Sequence, residues 1–313
     1  MSTPLTAALE KALEGRQRKS VPVTDLYDDL SHPAADLFSN DYLSLCSDRA
    51  LRQQFLDQVN QLPHVFGTGG SRLMSGNAPI HLEFEERMKT FFRAPAALLF
   101  NSGYDANVAF WHSIPQHGDA VIFDDLVHAS TRDGLLASRA RNALYPFAHN
   151  DVTSLRDVIL HVLRAHPAIA AGRATVFIAV ESLYSMDGDF APLPELVRLA
   201  ETLIPIGSSH IVVDEAHSTG IYDSQGRGLV TALGLEKRIH TVLHTFGKAR
   251  ALTGGMWHDQ TRLSSFADQA SCSRSSHFAH YSQVHYQLRP AFYLLYLAFA
   301  LDNLRIERFL RLH

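Results

Sequence analysis

Short apolar runs at 96–100, 120–123, 175–180, 210–213 and 241–246 alternate with stretches at 104–114, 129–140, 152–165 and 193–203 where apolar residues return at helical spacing. Uninterrupted apolar runs of this length predict strands buried on both faces. Strands that alternate with helices predict a mostly parallel sheet flanked by helices, so the expected class is α/β. Helical spacing also recurs at 5–13, 49–61 and 79–92. The last of these carries Glu83, Glu85 and Glu86 near its start, where the helix dipole favours them. After Gly255 the pattern changes: 256–287 is rich in Ser, His and Gln with no convincing period, then comes an aromatic-apolar block at 291–301 and a basic tail. Three segments are expected: an N-terminal arm over 1–48, a large domain over 49–255, and a divergent or truncated segment over 256–313.

Composition narrows the class. With 28 basic and 32 acidic side chains the net charge is −4, which gives no argument for nucleic acid or an anionic membrane as partner. Cys46 and Cys272 stand far apart, which suits a reducing compartment and no disulfide framework. The longest apolar run, 291–301, is well short of the roughly 20 residues that span a bilayer. The N-terminus carries Glu10 and Glu14 and no signal-peptide core. The expectation is a soluble intracellular protein, cytoplasmic by default, with peroxisome and mitochondrion left open, although Arg311-Leu312-His313 is not a peroxisomal address.

Candidate chemistry collects where the strands end, which is where open α/β sheets bind ligands. Asn101-Ser102-Gly103, Asp124-Asp125, Glu181-Ser182, Asp214-Glu215-Ala216-His217 and Thr245-Phe246-Gly247-Lys248 all follow apolar runs. The fourth of these five, Asp214 to His217, also spells the metal box of a helicase. That chemistry needs a Gly-x-x-x-x-Gly-Lys-Ser/Thr phosphate loop, and the chain has none. Asp214 alone could be a plain helix cap. Together with His217 three residues on and Lys248 one strand later, it offers an acid for a ring nitrogen, a partner for a phenolic oxygen and an amine able to form an imine, which is what pyridoxal phosphate asks of a protein. Shielding beside Gly247 would depress the Lys248 pKa. Ser102-Gly103-Tyr104 is either a phosphate seat at a helix N-terminus or an ordinary strand-to-helix turn. His128, at the start of a helix, could stack on a planar ring or be one more surface histidine. No His/Cys/Asp set has zinc-site spacing, so metal is set aside.

In order, Gly69-Gly70-Ser71-Arg72 with Gly76, Phe100-Asn101-Ser102-Gly103-Tyr104-Asp105-Ala106-Asn107, Asp125-Leu126-Val127-His128-Ala129-Ser130, Ser185-Met186-Asp187-Gly188-Asp189, Asp214-Glu215-Ala216-His217-Ser218-Thr219-Gly220 and Thr245-Phe246-Gly247-Lys248 resemble the α-oxoamine synthases. These are fold-type-I pyridoxal 5'-phosphate (PLP) enzymes. Phe147-Ala148-His149-Asn150-Asp151 and Ser39-Asn40-Asp41-Tyr42-Leu43 look most like the 8-amino-7-oxononanoate synthases of biotin synthesis. The resemblance implies that Lys248 holds the cofactor covalently and shuttles a proton, that Asp214 pairs with the pyridinium nitrogen, and that His217 bonds the phenolic oxygen with help from Ser185. It further implies that His128 stacks on the ring, that Ser102, Gly103, Tyr104 and Thr245 hold the phosphate, and that Asn40, Arg72 and Glu181 line the substrate side. The implied reaction is a decarboxylative condensation of a small amino acid, L-alanine, with an acyl thioester, in a homodimer with shared active sites.

The resemblance is collinear from about Asn40 to Gly255. Beyond it, Arg289-Pro290-Ala291-Phe292-Tyr293 resembles the start of a family segment, but Leu294-Leu295 stand where hydroxyl residues are expected. A small carboxyl-terminal domain is expected to be largely missing. Two alternatives therefore stay open beside the biotin-pathway reading: a related synthase of secondary metabolism with another acyl donor, and a non-catalytic truncated remnant.

Overall fold

The computed structural model describes residues 3–17, 36–62, 67–72 and 75–261. The chain divides into two compact units, Met1–Ser39 and Asn40–His313. In the first unit, α1 (Pro4–Gln17) carries Leu5, Leu9 and Leu13 along one exposed face, as the helical spacing predicts.

In the second unit α2 (Arg49–Val59) and α3 (Pro79–Phe92) precede β1 (Ala96–Phe100), α4 (Gly103–Ser113), β2 (Ala120–Asp124), α5 (Ala129–Ala137) and β3 (Leu144–Phe147). Then come α6 (Val152–Ala165), α7 (Pro167–Ala170), β4 (Val176–Glu181), α8 (Leu193–Leu203), β5 (Ser209–Asp214), α9 (Leu229–Ala232), β6 (Thr241–Thr245) and β7 (Gly255–Asp259). The strands form one seven-stranded sheet in the order β1-β7-β6-β5-β4-β2-β3. Pairs among β2, β3, β4, β5 and β6 are parallel; β7 runs antiparallel to both of its neighbours, β1 and β6.

Period-two alternation assigns each strand residue to a face. Ile178, Val180, Ile211 and Val213 pack on α6 and α8 through Leu155, Ile159, Leu196 and Val197. Phe177, Ala179, Val212 and Leu243 turn the other way, onto Ala106 and Phe110 of α4 and Leu135 of α5. A third cluster seats Phe84, Met88 and Phe92 of α3 on Ala97, Leu99, Phe246 and Met256. Covering both faces explains why these strands read as continuous apolar runs.

Two parts of the sheet differ from the sequence expectation. β3 has the sequence Leu-Tyr-Pro-Phe, and its proline hides it; an edge position tolerates the missing donor. β7 crosses the expected boundary at 255: its Trp257-His258-Asp259 reads as polar, yet all five residues are buried between β1 and β6. The expected features at 262–313, including Cys272 and the Arg289 motif, lie outside the described residues.

Candidate active site

The face rule also decides which polar residues meet. Asp214 continues the parity of Val212, so its side chain faces α4, where Asn107 Nδ2 donates to Asp214 Oδ2 at 2.7 Å. The Ala216 amide donates to Oδ1 at 2.8 Å, and Thr131 Oγ1 donates to Asn107 Oδ1 at 3.1 Å. A buried carboxylate is thus held from two sides with one edge of its oxygens committed. Glu181 shares that parity and is the register partner of Asp214. Its Oε1 accepts from the His128 amide, at the N-cap of α5, at 2.6 Å. Burial, reinforced by Asp214, pushes the Glu181 carboxyl up to about 8, against the pull of the His128 amide and Lys248.

Lys248 lies in the hairpin that joins β6 to β7. The turn is closed by Leu252 N donating to Phe246 O at 2.8 Å and by Ala251 N donating to Lys248 O at 2.8 Å. Its Nζ stands 2.8 Å from His217 Nε2. Burial lowers the Lys248 pKa, opposed by Asp214 and Glu181. Burial first, then Lys248, holds the His217 imidazole down at about 4 although Asp214 pulls it upward. At neutral pH the imidazole is therefore uncharged, and the amine loses its proton more readily than a surface lysine.

Beside this cluster two backbone segments approach closely. Ser102 caps α4, accepting from Asp105 N at 3.0 Å, and forms a bridge with Gly254. A Cβ on Gly255 would lie 2.4 Å from Gly103 N, and one on Gly103 would lie 2.7 Å from Thr245 Cβ. Only glycine fits at either place. The result is the N-terminus of an eleven-residue helix brought next to the Thr245 hydroxyl, on the same sheet face as Asp214. An anion fits that end, and the acid, imidazole and amine of Asp214, His217 and Lys248 stand at the other. This donor set suits a phosphorylated heterocycle with a carbonyl, as the sequence predicted.

The remaining candidates are placed as follows. His128 is exposed at the rim, its ring T-shaped to Tyr104 at 6.3 Å and its Nδ1 2.7 Å from Ser130 Oγ. The Tyr104 side chain turns outward, its hydroxyl donating to Asp133 on α5. Ser185 stands exposed in the turn after β4 and is not joined to the Lys248 cluster. Arg72 is engaged elsewhere, with Asn77 Oδ1 at 2.9 Å, Leu99 O at 3.2 Å and Glu85 Oε1 at 2.9 Å. Asn40 accepts from the Tyr42 hydroxyl at 3.0 Å, and Tyr42 Oη lies 2.7 Å from His217 Nδ1.

Three residues of this network carry no role in the sequence reading, Asn107, Thr131 and Tyr42. Asn107 had a signal: a lone amide in the apolar stripe Ala106-Asn107-Val108-Ala109-Phe110, where a buried amide needs a partner. Among the described residues, His149, Asp187 and Asp189 bring donor atoms within 4.8 Å of one another. His149 Nδ1 is 2.8 Å from Asp124 Oδ1, and Nε2 is 3.0 Å from Asp189 Oδ2 and 3.2 Å from Asn150 Nδ2, so the imidazole is already engaged by side chains on both nitrogens. Both carboxylates raise the His149 pKa against its burial.

Residues 33–275 match the family model for aminotransferase class I and II. Over 229 residues the chain is 46% identical to 8-amino-7-oxononanoate synthase of Emericella nidulans, covering 72% of this chain and 55% of that one. Over 224 residues it is 42% identical to the aminoacyl transferase sphA of Byssochlamys spectabilis, covering 71% and 47%. It superimposes on a serine palmitoyltransferase from S. paucimobilis, solved with PLP and myriocin bound, with a TM-score of 0.67 and 26% identity, over 85% of this chain and 60% of that one. The chain spans about half the length of the curated relatives it matches.

Proposed function

Because the chain belongs to the aminotransferase class I and II family, we propose that it carries the cofactor site of a PLP-dependent C-acyltransferase of the α-oxoamine synthase kind. The observation that carries this reading is the 2.8 Å contact between Lys248 and His217 on the sheet face where Asn107 presents the Asp214 carboxylate. The substrates are a small amino acid, L-alanine, and an acyl thioester, and the product is an amino ketone released with carbon dioxide and free thiol. The 8-amino-7-oxononanoate synthase activity of biotin synthesis is the form supported by the 46% identity. The 42% identity to an aminoacyl transferase supports a second form that uses a different acyl donor.

When bound, pyridoxal phosphate supplies an electron sink for carbanion character at the amino-acid α-carbon. The chain's own residues do the rest. Asp214 keeps a proton on the heterocyclic nitrogen, and Asn107 and the Ala216 amide keep that carboxylate in place. The α4 amides, Ser102, Gly103, Tyr104 and Thr245 hold the phosphate. Lys248, its pKa lowered by burial, is the amine that would hold the cofactor's carbonyl and would carry a proton on Nζ. His217 is the neutral partner of that amine and would bond the phenolic oxygen, His128 would cover the ring from the rim, and Ser185 would assist His217 from the turn after β4. Glu181, kept protonated to about 8, and Asn40 face the substrates. Two copies of the chain share the site in a homodimer.

The test is turnover. The chain, loaded with PLP, is given L-alanine or another small amino acid with acyl thioesters of increasing length, and release of carbon dioxide and free thiol is followed. Release that depends on alanine supports the reading. Release with serine or glycine and not alanine would replace the biotin-pathway form by the second one. No release with any pair, from a chain that holds the cofactor, would reduce the function to cofactor binding.

A further inference from the structure

The contact between Lys248 and His217 is one end of a longer chain of hydrogen bonds, and with Asn40 Oδ1 turned toward Tyr42 a count of its protons gives its direction. The Tyr42 hydroxyl has one proton and gives it to Asn40 Oδ1, at 3.0 Å, which can only accept. Toward His217 Nδ1, 2.7 Å away, Oη can then act only as acceptor, so Nδ1 carries the hydrogen. A neutral imidazole has one N–H, which leaves the Nε2 lone pair facing Lys248 Nζ as acceptor. Donors therefore run Lys248 to His217 to Tyr42 to Asn40, from a half-buried amine to the exposed surface. The turn that carries Tyr42 is fixed by Asp41, whose two oxygens accept from Leu45 N at 2.9 Å and Cys46 N at 3.0 Å.

We infer that Tyr42 is a positioning residue that sets the tautomer of His217, and through it the hydrogen bonding of Lys248. A tyrosine hydroxyl is both donor and acceptor, which a phenylalanine is not. With its proton on Asn40 it makes Nε2 an acceptor for the Lys248 ammonium. With the Asn40 amide turned over to donate to Oη, the hydroxyl donates its hydrogen bond to a bare Nδ1 and the ring hydrogen sits on Nε2, which becomes a donor suited to an anionic phenolic oxygen. One side chain at the edge of the site thus lets a single imidazole serve two partners of opposite demand. The inference rests on the reading of Lys248 as the cofactor lysine.

The experiment uses the full chain without cofactor. Two-bond 1H–15N correlation on 15N-histidine-labelled protein reports which nitrogen of His217 is protonated, and the pH dependence of Lys248 acylation, read by peptide mass spectrometry, reports its midpoint. Wild-type protein should show Nδ1–H. Tyr42→Phe should move His217 to a mixture rich in Nε2–H and lower the Lys248 midpoint by about one pH unit, the loss of one hydrogen bond to a charged group. Asn40→Asp, which can only accept, should keep Nδ1–H and give a midpoint no lower than wild type. An unchanged tautomer and midpoint in Tyr42→Phe would overturn the inference, as would an Asn40→Asp variant that shifts to Nε2–H. Because these readouts need no cofactor, their failure is separable from that of the functional reading, which fails when pyridoxal phosphate attaches to a lysine other than Lys248.

Discussion

Adjacent residues of one strand end meet opposite fates because a strand turns successive side chains to opposite faces. Asp214 points at α4 and finds an amide; Glu215 points away, where its Oε1 accepts from Val230 N at 2.7 Å and burial pushes it up to about 8. The pair Asp-Glu was legible in the sequence as two acids at a strand end, and parity told which would face the same helix as Glu181. What it could not tell was the partner, since Asn107 lies 107 residues away. Replacing Asn107 with leucine, close to it in size, leaves one buried oxygen of Asp214 and the Thr131 hydroxyl without their partner. This should cost about 1–3 kcal/mol in urea unfolding, with the cofactor-free chain compared with wild type. A change within about 0.3 kcal/mol would show that Asp214 does not depend on that amide.

At the scale of elements, the parallel core and its helices follow from apolar periodicity, and each of the five sequence-predicted strands is present within one or two residues. The elements that were not legible are those whose stability comes from neighbours. β7 is a polar-looking segment made a strand by β1 and β6, and β3 a proline-bearing edge strand. The candidate site was legible as strand ends; Tyr42 was not, because its contact with His217 joins residues 175 apart. β7 matters to the site because its first residue lets α4 approach. Gly255→Ala places a methyl 2.4 Å from a backbone nitrogen, which cannot rotate away. It should lower stability by about 3 kcal/mol, at the upper part of the overpacking range, and loosen the anion seat between Gly103 and Thr245. Urea unfolding and phosphate affinity measured together check this. Full phosphate affinity in a destabilised variant would separate the seat from the approach.

Across the whole molecule, buried ionisable groups set a pH optimum for stability. Burial holds His210 and His258 at about 3 and His217 at about 4, and lowers His240 and His244 as well. Below about 6.5, the ordinary histidine value, the unfolded chain binds more protons than the native one, so stability is lost as pH falls from there. Glu181 and Glu215, both held at about 8, act with the opposite sign: their contribution is present below about 4.5 and is lost as pH rises through about 8. The imidazoles outnumber the two carboxyls below 6.5 and the carboxyls act alone above it. The urea midpoint of the cofactor-free chain should therefore peak near pH 6.5 and fall on both sides; a midpoint that rises steadily from pH 5 to 8 would mean that the two glutamates are ionised in the native state.

All of these scales converge on one amine. The sequence holds five lysines, at 11, 19, 89, 237 and 248, and among the described residues Lys248 is the one that stands beside Asp214, Glu181 and His217. Incubating the chain with pyridoxal phosphate, reducing with borohydride and mapping the modified peptide by mass spectrometry tests that directly. The account predicts one pyridoxyl group, on Lys248, and its loss in Lys248→Ala. No adduct, or an adduct spread over the other four lysines, would contradict it.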